Sequence, residues 1–202
     1  DLGSGMAVAM KDLEIRGAGN LLGGEQSGHI ADVGFDLYVR LVGEAISEVK
    51  NGPQTDLDVI VKVELPVDAH LPHDYVPNER LRLEAYRRLA DARSVVDVGK
   101  VQAELLDRYG KLPAPVERLV DIAQLRVLLI HAGVEEVIAA GNNIKIFPVE
   151  LQESRQLRLN RLYPGSKIMP ATRTIVVPRP RVASLGTSTQ DSTDLVEWVK
   201  EF

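Results

Sequence analysis

The spacing of apolar residues changes several times along this chain of 202 residues. From Leu57 to Leu65 every second residue is apolar, and a period of two predicts a half-buried strand. Between residues 78 and 133 apolar residues recur every three or four positions, as in amphipathic helices. Because one chain carries both periods and shows no internal repeat, we predict a mixed α+β fold.

Capping signals divide the helical region into three helices. Asn78 and Ser94 are typical N-caps, and Asp97 occupies the capping-box position of the second helix. Gly110 and Gly133 are placed to end the second and third helices. The residues predicted to face inward are Leu83, Tyr86, Leu89 and Ala90 in the first helix, Val98, Val101 and Leu105 in the second, and Val116, Leu119, Val120, Ala123, Val127 and Ile130 in the third.

After residue 133 the pattern indicates short strands and short helices. The turn Gly141-Asn142-Asn143 between two apolar runs is typical of a β-hairpin. The predicted elements are strands 134–139 and 144–149, a helix at 152–162, strands 167–169 and 174–177, a loop at 184–193, and a last helix carrying Leu195, Val196, Trp198, Val199 and Phe202.

The first fifty residues differ from the rest because glycines crowd one stretch between two helical patterns. We predict a helical hairpin over residues 1–50, a linker at 51–56 and an α+β domain over 57–202. The second arm of the hairpin stops at Asn51-Gly52-Pro53. Its apolar stripe comprises Tyr38, Leu41, Val42, Ala45, Ile46 and Val49.

Composition narrows the classes of protein that this chain can represent. Hydrophobic residues make up 45% and charged residues 26%, and no apolar run is long enough to span a membrane. The absence of cysteine fits a cytoplasmic protein and excludes a thiolate zinc site. The first residues carry no export signal and no initiator Met, so we expect a fragment or a processed chain.

Signatures of catalysis are missing from the sequence. No phosphate-binding loop of the G-x-x-x-x-G-K-[ST] type occurs, so we expect no ATP hydrolysis by this chain alone. Gly17 and Gly19 fail the dinucleotide-binding fingerprint because Leu22 stands at its third glycine position. His70 and His73 have the spacing of metal ligands, but they lie in a proline-bounded loop, and we assign no metal, cofactor or catalytic residue.

Two charged groups are candidates for binding. Glu104 and Asp107 are three positions apart and share a helix face away from the apolar stripe, where they form either a docking surface or a solvated acidic face. A run with no acidic residue extends from 155 to 181, and it favours either a solvated or protein-docking surface or a DNA contact. Its basic residues are Arg155, Arg158, Arg161, Lys167, Arg173, Arg179 and Arg181.

Two sets of motifs resemble known families. The strings DLEIRGAGNLLG at 12–23, EQSG at 25–28 and VGFDLY at 33–38 resemble the translocation motif shared by the branch-migrating helicase RecG and the transcription-repair coupling factors. RecG ends soon after this motif, whereas this chain continues to residue 202. The continuation resembles the C-terminal domain of the transcription-repair coupling factors at LPHDYVP 71–77, RLEAYRRLA 82–90, ELLDRYG 104–110 and EWV 197–199.

This resemblance implies a parent protein that uses ATP and magnesium to move along double-stranded DNA, displaces RNA polymerase stalled at lesions and recruits UvrA. Its C-terminal domain is expected to pack on the N-terminal UvrB-like module and to mask the UvrA-binding surface. Glu104 and Asp107 match acidic positions that meet basic residues of that module. Arg16 matches the coupling arginine of the motor. Gln26 is expected to relay the position of the loop to the motor lobe, and Gly17 and Gly19 are expected to allow the chain to turn. The alternative function is an autonomous duplex-DNA-binding module.

Overall fold

The computed structural model describes residues 34–49 and 61–179. These residues form five α-helices and five β-strands, which confirms the predicted α+β class. No helix in these two segments is long and apolar enough to cross a membrane. The helices are α1 (Phe35–Val49), α2 (Glu79–Asp91), α3 (Val95–Tyr109), α4 (Ala114–Ala132) and α5 (Glu153–Leu162), and the strands are β1 (Lys62–Glu64), β2 (Glu136–Ala140), β3 (Asn143–Phe147), β4 (Lys167–Met169) and β5 (Thr174–Pro178).

The described residues fall into two compact units. Residues 34–49 and 68–123 form a helical unit, and residues 61–67 and 124–179 form a unit built around the sheet. The division falls inside α4, between Ala123 and Gln124. The predicted linker at 51–56, the first hairpin arm and the last helix at 195–202 lie outside the described residues.

In the helical unit, the predicted second arm of the hairpin is α1, and Tyr38, Leu41 and Val42 of its apolar stripe are buried. Phe35, Tyr38 and Tyr86 stack with ring centroids 5.4 to 6.5 Å apart, so α1 shares a core with α2. The backbone N–H of Phe35 donates to the carbonyl of Ala69 at 3.1 Å, and the N–H of Leu71 donates to the Tyr86 hydroxyl at 2.7 Å. Burial raises the pKa of the Tyr38 phenol.

The predicted caps of α2 and α3 are confirmed. Asn78 accepts a hydrogen bond from the backbone of Leu81, and Ser94 and Asp97 form the capping box. Leu83 of α2 was predicted to face inward, but it is only half-buried, and the neighbouring Arg82 is buried instead. Arg82 is accommodated because its guanidinium donates to the carbonyl oxygens of Val76 at 2.7 Å and Pro77 at 3.1 Å.

α4 is buried around more of its circumference than the predicted single face. Five of the six residues predicted to face inward are buried, and Ile130 is half-buried. Ile122, Leu125 and two arginines, Arg118 and Arg126, are buried as well. Arg118 donates from Nε to the Asp68 carbonyl at 2.8 Å, so its charged end keeps a polar partner while its stem is buried.

The sheet has the strand order β1-β2-β3-β5-β4. β1 runs parallel to β2, and the remaining neighbours are antiparallel. The predicted hairpin is β2 and β3, whose two-residue turn places Gly141 at φ 58°, a conformation that favours glycine. The strand predicted from Leu57 is described only from residue 61, where buried Val61 and Val63 alternate with exposed Lys62 and Glu64.

Candidate protein-interaction face

The candidate face lies on α3, and its N-terminal end is fixed by the capping box. The Asp97 N–H donates to Ser94 Oγ at 3.1 Å, and the Ser94 N–H donates to Asp97 Oδ2 at the same distance. The Ser94 hydroxyl also donates to Asp97 Oδ2 at 2.7 Å, and this hydrogen bond lowers the pKa of the carboxyl. The capping box therefore sets the residue at which α3 begins and the direction of its faces.

The C-terminal end of α3 is held by Tyr75. Its hydroxyl lies within hydrogen-bond distance of two carbonyl oxygens, 3.1 Å from that of Leu105 and 3.0 Å from that of Gly110. Its ring packs on Tyr109 with centroids 5.6 Å apart, and burial, followed by the neighbouring phenol, raises the pKa of Tyr75. One carbonyl in the last turn of α3 and the carbonyl of its C-cap residue thus lie beside a hydroxyl from the loop before α2.

Glu104 lies in a network with two arginines. Arg88 Nη1 on α2 donates to Glu104 Oε2 at 2.5 Å, and Arg108 Nη1 donates to Oε1 at 3.2 Å. The pKa of Glu104 is lowered, chiefly because of the hydrogen bond from Arg88. The Glu104 side chain is 39% exposed, so its charge is largely balanced within the helical unit and remains in contact with solvent.

Asp107 has a different environment from Glu104. It is exposed, and no described residue forms an ion pair with it. Leu106 beside it is 51% exposed, which places an aliphatic group next to a solvent-facing carboxylate. The cleft between α2 and α3 that Glu104 borders has a volume of only about 20 Å³, room for about one water molecule. The face is therefore suited to a protein surface and too shallow for a small-molecule ligand.

The basic residues of the run lie on several elements of the described structure. Arg155 and Arg158 on α5 line a common groove, which Arg161 does not border. Lys167 lies on β4, and Arg173 follows the 3₁₀ turn with Nε 3.9 Å from a Glu150 carboxylate oxygen. Arg179 is half-buried, and Arg181 lies outside the described residues.

The remaining candidates are located as follows. His70 Nδ1 is 2.7 Å from Asp68 Oδ1, and His73 is exposed. Within the described segments, no group of three or more histidine and carboxylate side chains is placed to hold a metal ion. The motor-coupling residues Arg16, Gly17, Gly19 and Gln26 lie outside the described residues.

Sequence reasoning missed Arg88. The partnership of Glu104 with Arg108 could have been found from their spacing of four positions on one helix. The hydrogen bond from Arg88 to Glu104 could not be predicted from the sequence, because it depends on how α2 packs against α3. The adjacent arginines Arg87 and Arg88, next to the inward-facing Leu89, were only a weak indication of a charged contact at this edge of α2.

Comparisons with known proteins agree with this fold. Residues 65–159 match the model of the TRCF domain family. The whole chain aligns at 49% identity with the transcription-repair-coupling factor of Mycobacterium tuberculosis and covers 17% of that protein. The corresponding Staphylococcus epidermidis protein is 43% identical over 72% of the chain, which covers 13% of that relative. A crystal structure of the C-terminal domain of transcription-repair coupling factor shares the fold, with a TM-score of 0.50 and 20% identity over 70% of this chain and 94% of that one.

The α+β fold and the matched segment define a protein that carries a TRCF domain. The chain belongs to the transcription-repair coupling factor family. It spans less than a fifth of the length of the curated relatives that it matches.

Proposed function

We propose that this chain is the regulatory C-terminal part of its parent protein. In this proposal α3 docks on the N-terminal UvrB-like module of the same protein and masks the surface that binds UvrA. The observation that carries the proposal is that a carboxylate, Asp107, and an aliphatic side chain, Leu106, are both exposed at neighbouring positions of α3. Both ends of this helix are held in place by hydrogen bonds. A solvent-facing carboxylate without a described partner is free to pair with a basic residue of another module.

The network around Glu104 supports the same docking mode. Arg88 and Arg108 hold the Glu104 carboxylate in one orientation, so a partner meets an ordered mixed-charge surface at this position. Ordered side chains lose less conformational entropy on binding than mobile ones do. We therefore assign Asp107 the direct contact with the UvrB-like module and Glu104 the role of ordering its surroundings as well as contacting the module.

The activity of the whole parent is part of the proposal. We infer that it is a translocase on double-stranded DNA that uses ATP and magnesium, displaces stalled RNA polymerase and recruits UvrA. Arg16, Gly17, Gly19 and Gln26 match the translocation motif, and we propose that they couple ATP-driven movement of the motor to sliding on DNA. The support for these roles is the similarity of residues 12–38 to that motif.

The test is calorimetric binding of this chain to the separately expressed UvrB-like module. Asp107→Arg should weaken binding by about tenfold or more, which exceeds the ~0–1 kcal/mol of an exposed ion pair. Glu117→Arg, the same change at an exposed carboxylate on α4, is the matched control and should bind like wild type. In the intact parent, Asp107→Arg should raise the affinity for UvrA, and unchanged affinity in both assays would refute the docking role.

A second function is favoured by one observation. Arg155, Arg158, Arg161 and Lys167 are exposed, and no described carboxylate lies within ion-pair distance of any of them. Such a set can contact the phosphates of duplex DNA. Binding of the chain to duplex DNA that weakens steeply with salt and is reduced by Lys167→Glu would support this alternative, whereas salt-independent or undetectable binding would exclude it.

A further inference from the structure

The sheet unit carries an apolar groove with a volume of about 710 Å³. The second half of α4, strands β2 and β3, and α5 contribute its walls. Leu128 and Leu162 line it although 40% and 53% of their surfaces are exposed, and Leu125, Val137 and Ile146 are buried behind them. Exposed aliphatic side chains that line a continuous groove are typical of a surface that another segment covers.

The groove has one cationic wall. Arg155 and Arg158 are three positions apart on α5, so they project to the same side of the helix, and both line the groove. Both are exposed, and neither has a carboxylate within ion-pair distance among the described residues. Glu150 also lines the groove, but it is exposed and lies near Arg173. An occupant that fits this groove therefore combines an apolar face with acidic residues beside it.

The C-terminal end of this chain has that combination. Leu195, Trp198, Val199 and Phe202 follow the spacing i, i+3, i+4, i+7 that places them on one face of a helix. Asp194, Glu197 and Glu201 follow the spacing i, i+3, i+7 and form a row directly beside that face.

The connection is long enough for the end of the chain to reach its own groove. Strand β5 ends at Pro178, and residues 179–193 separate it from the amphipathic segment. Fifteen extended residues span up to about 50 Å, whereas a compact unit of this size is about 30 Å across. An intramolecular partner is also present at high effective concentration, which favours it over a second copy.

We infer that residues 194–202 dock as an amphipathic helix in the groove, with Trp198 and Phe202 on the aliphatic floor and the acidic row against Arg155 and Arg158. This mode is the helix-in-groove arrangement by which amphipathic segments bind apolar clefts. The inference rests on the groove and on the sequence of the segment, and it stands whether or not α3 docks on the UvrB-like module.

The first test uses the fluorescence of Trp198, the only tryptophan of the chain. In the intact chain its emission should be shielded from acrylamide. The shielding should be lost in Leu162→Asp and in the double variant Arg155→Glu with Arg158→Glu. Arg161→Glu, the same charge change on the same helix outside the groove, is the control and should leave the shielding intact. Equal quenching in wild type and in both groove variants would overturn the inference.

A second test detects proximity without altering the charges of the groove. Because the chain has no cysteine, Leu128→Cys and Phe202→Cys can be introduced together and joined with a short bismaleimide. The expected product is a monomer in which peptide mapping finds residues 128 and 202 linked, and Lys167→Cys with Phe202→Cys should give at least tenfold less of that product. A product that consists of linked dimers would show that a second copy fills the groove, and equal yields from the two pairs would show no docking; either result would refute the intramolecular helix.

Discussion

Arg88 on α2 and Glu104 on α3 form a charge-assisted hydrogen bond that joins two helices across their shared surface. Both side chains remain more than a third exposed, so solvent screens the pair. Its effect on stability is therefore small, and its main consequence is geometric, because it fixes the carboxylate that precedes Asp107 by one helical turn.

Replacing Arg88 by alanine should lower the free energy of unfolding by less than about 1 kcal/mol at pH 7. Because Arg88 lowers the pKa of folded Glu104, this contribution is present above the ordinary glutamate pKa and disappears as the pH falls through the lower value of the folded state. Urea unfolding of wild type, Arg88→Ala, Glu104→Gln and the double variant, repeated from pH 7 to pH 3, measures the coupling. A coupling free energy between Arg88 and Glu104 that did not change with pH would show that it does not arise from the charge of the Glu104 carboxylate.

Removing the capping hydroxyl of Ser94 should destabilise the helical unit by about 1 kcal/mol, because a backbone N–H of the first turn of α3 loses its acceptor. The same change should raise the pKa of Asp97, since the Ser94 hydroxyl is the main cause of its lowered value. Thermal unfolding and an NMR titration of the Asp97 carboxyl test the two effects. Ser154→Ala, at an exposed position in α5, serves as the control and should change neither.

The Tyr86 hydroxyl accepts the backbone N–H of Leu71, and both residues are buried. Tyr86→Phe leaves that N–H without its acceptor, and we expect a loss of about 1–3 kcal/mol in the free energy of unfolding. Tyr109→Phe removes a hydroxyl from a half-buried ring and should change stability far less. Denaturant unfolding gives the free energy of unfolding of each variant. Equal losses in Tyr86→Phe and Tyr109→Phe would contradict the structural role of the Tyr86 hydroxyl.

Gly99 within α3 and Gly110 directly after it should respond in opposite directions to replacement by alanine. Gly99 lies inside the helix, and a Cβ there meets no atom within 4 Å, so Gly99→Ala should stabilise the chain by up to about 1 kcal/mol. Gly110 has φ 82° and ψ −160°, a backbone conformation nearly restricted to glycine, so Gly110→Ala should destabilise it by about 1–3 kcal/mol. The melting temperatures of the two variants should therefore lie on opposite sides of the wild-type value.

Local signals explain why so much of the fold could be predicted. Asn78, Ser94 and Gly110 mark helix ends through contacts with residues at most four positions away, and the turn at Gly141 connects neighbouring strands. The pairing of β1 with β2 could not be predicted, because Val63 pairs with Val137 across the three intervening helices. Buried Arg82 and Arg118 were also missed, since their burial depends on loop carbonyls that only the folded chain brings near them.

The candidate face was only partly accessible from sequence for the same reason. Spacing placed Glu104 and Asp107 on one face of α3, but they differ in surroundings because Arg88 comes from another helix. The groove in the sheet unit was not predicted at all. Its lining residues come from α4, two strands and α5, which are separated in the sequence. Leu128 and Leu162 each lie in a helical pattern, and nothing in the sequence around them indicates that they line a common groove.

The long separation between β1 and β2 also has a consequence for synthesis of the protein. Residues 61–67 leave the ribosome about seventy residues before their strand partner does, and α2 and α3 are complete by then. Through that interval Val61 and Val63 lack the strand beside which they are finally buried, and an unpaired apolar strand is prone to intermolecular pairing. Truncated chains that end between residues 110 and 135 should therefore aggregate, whereas chains that extend beyond β5 should remain in solution.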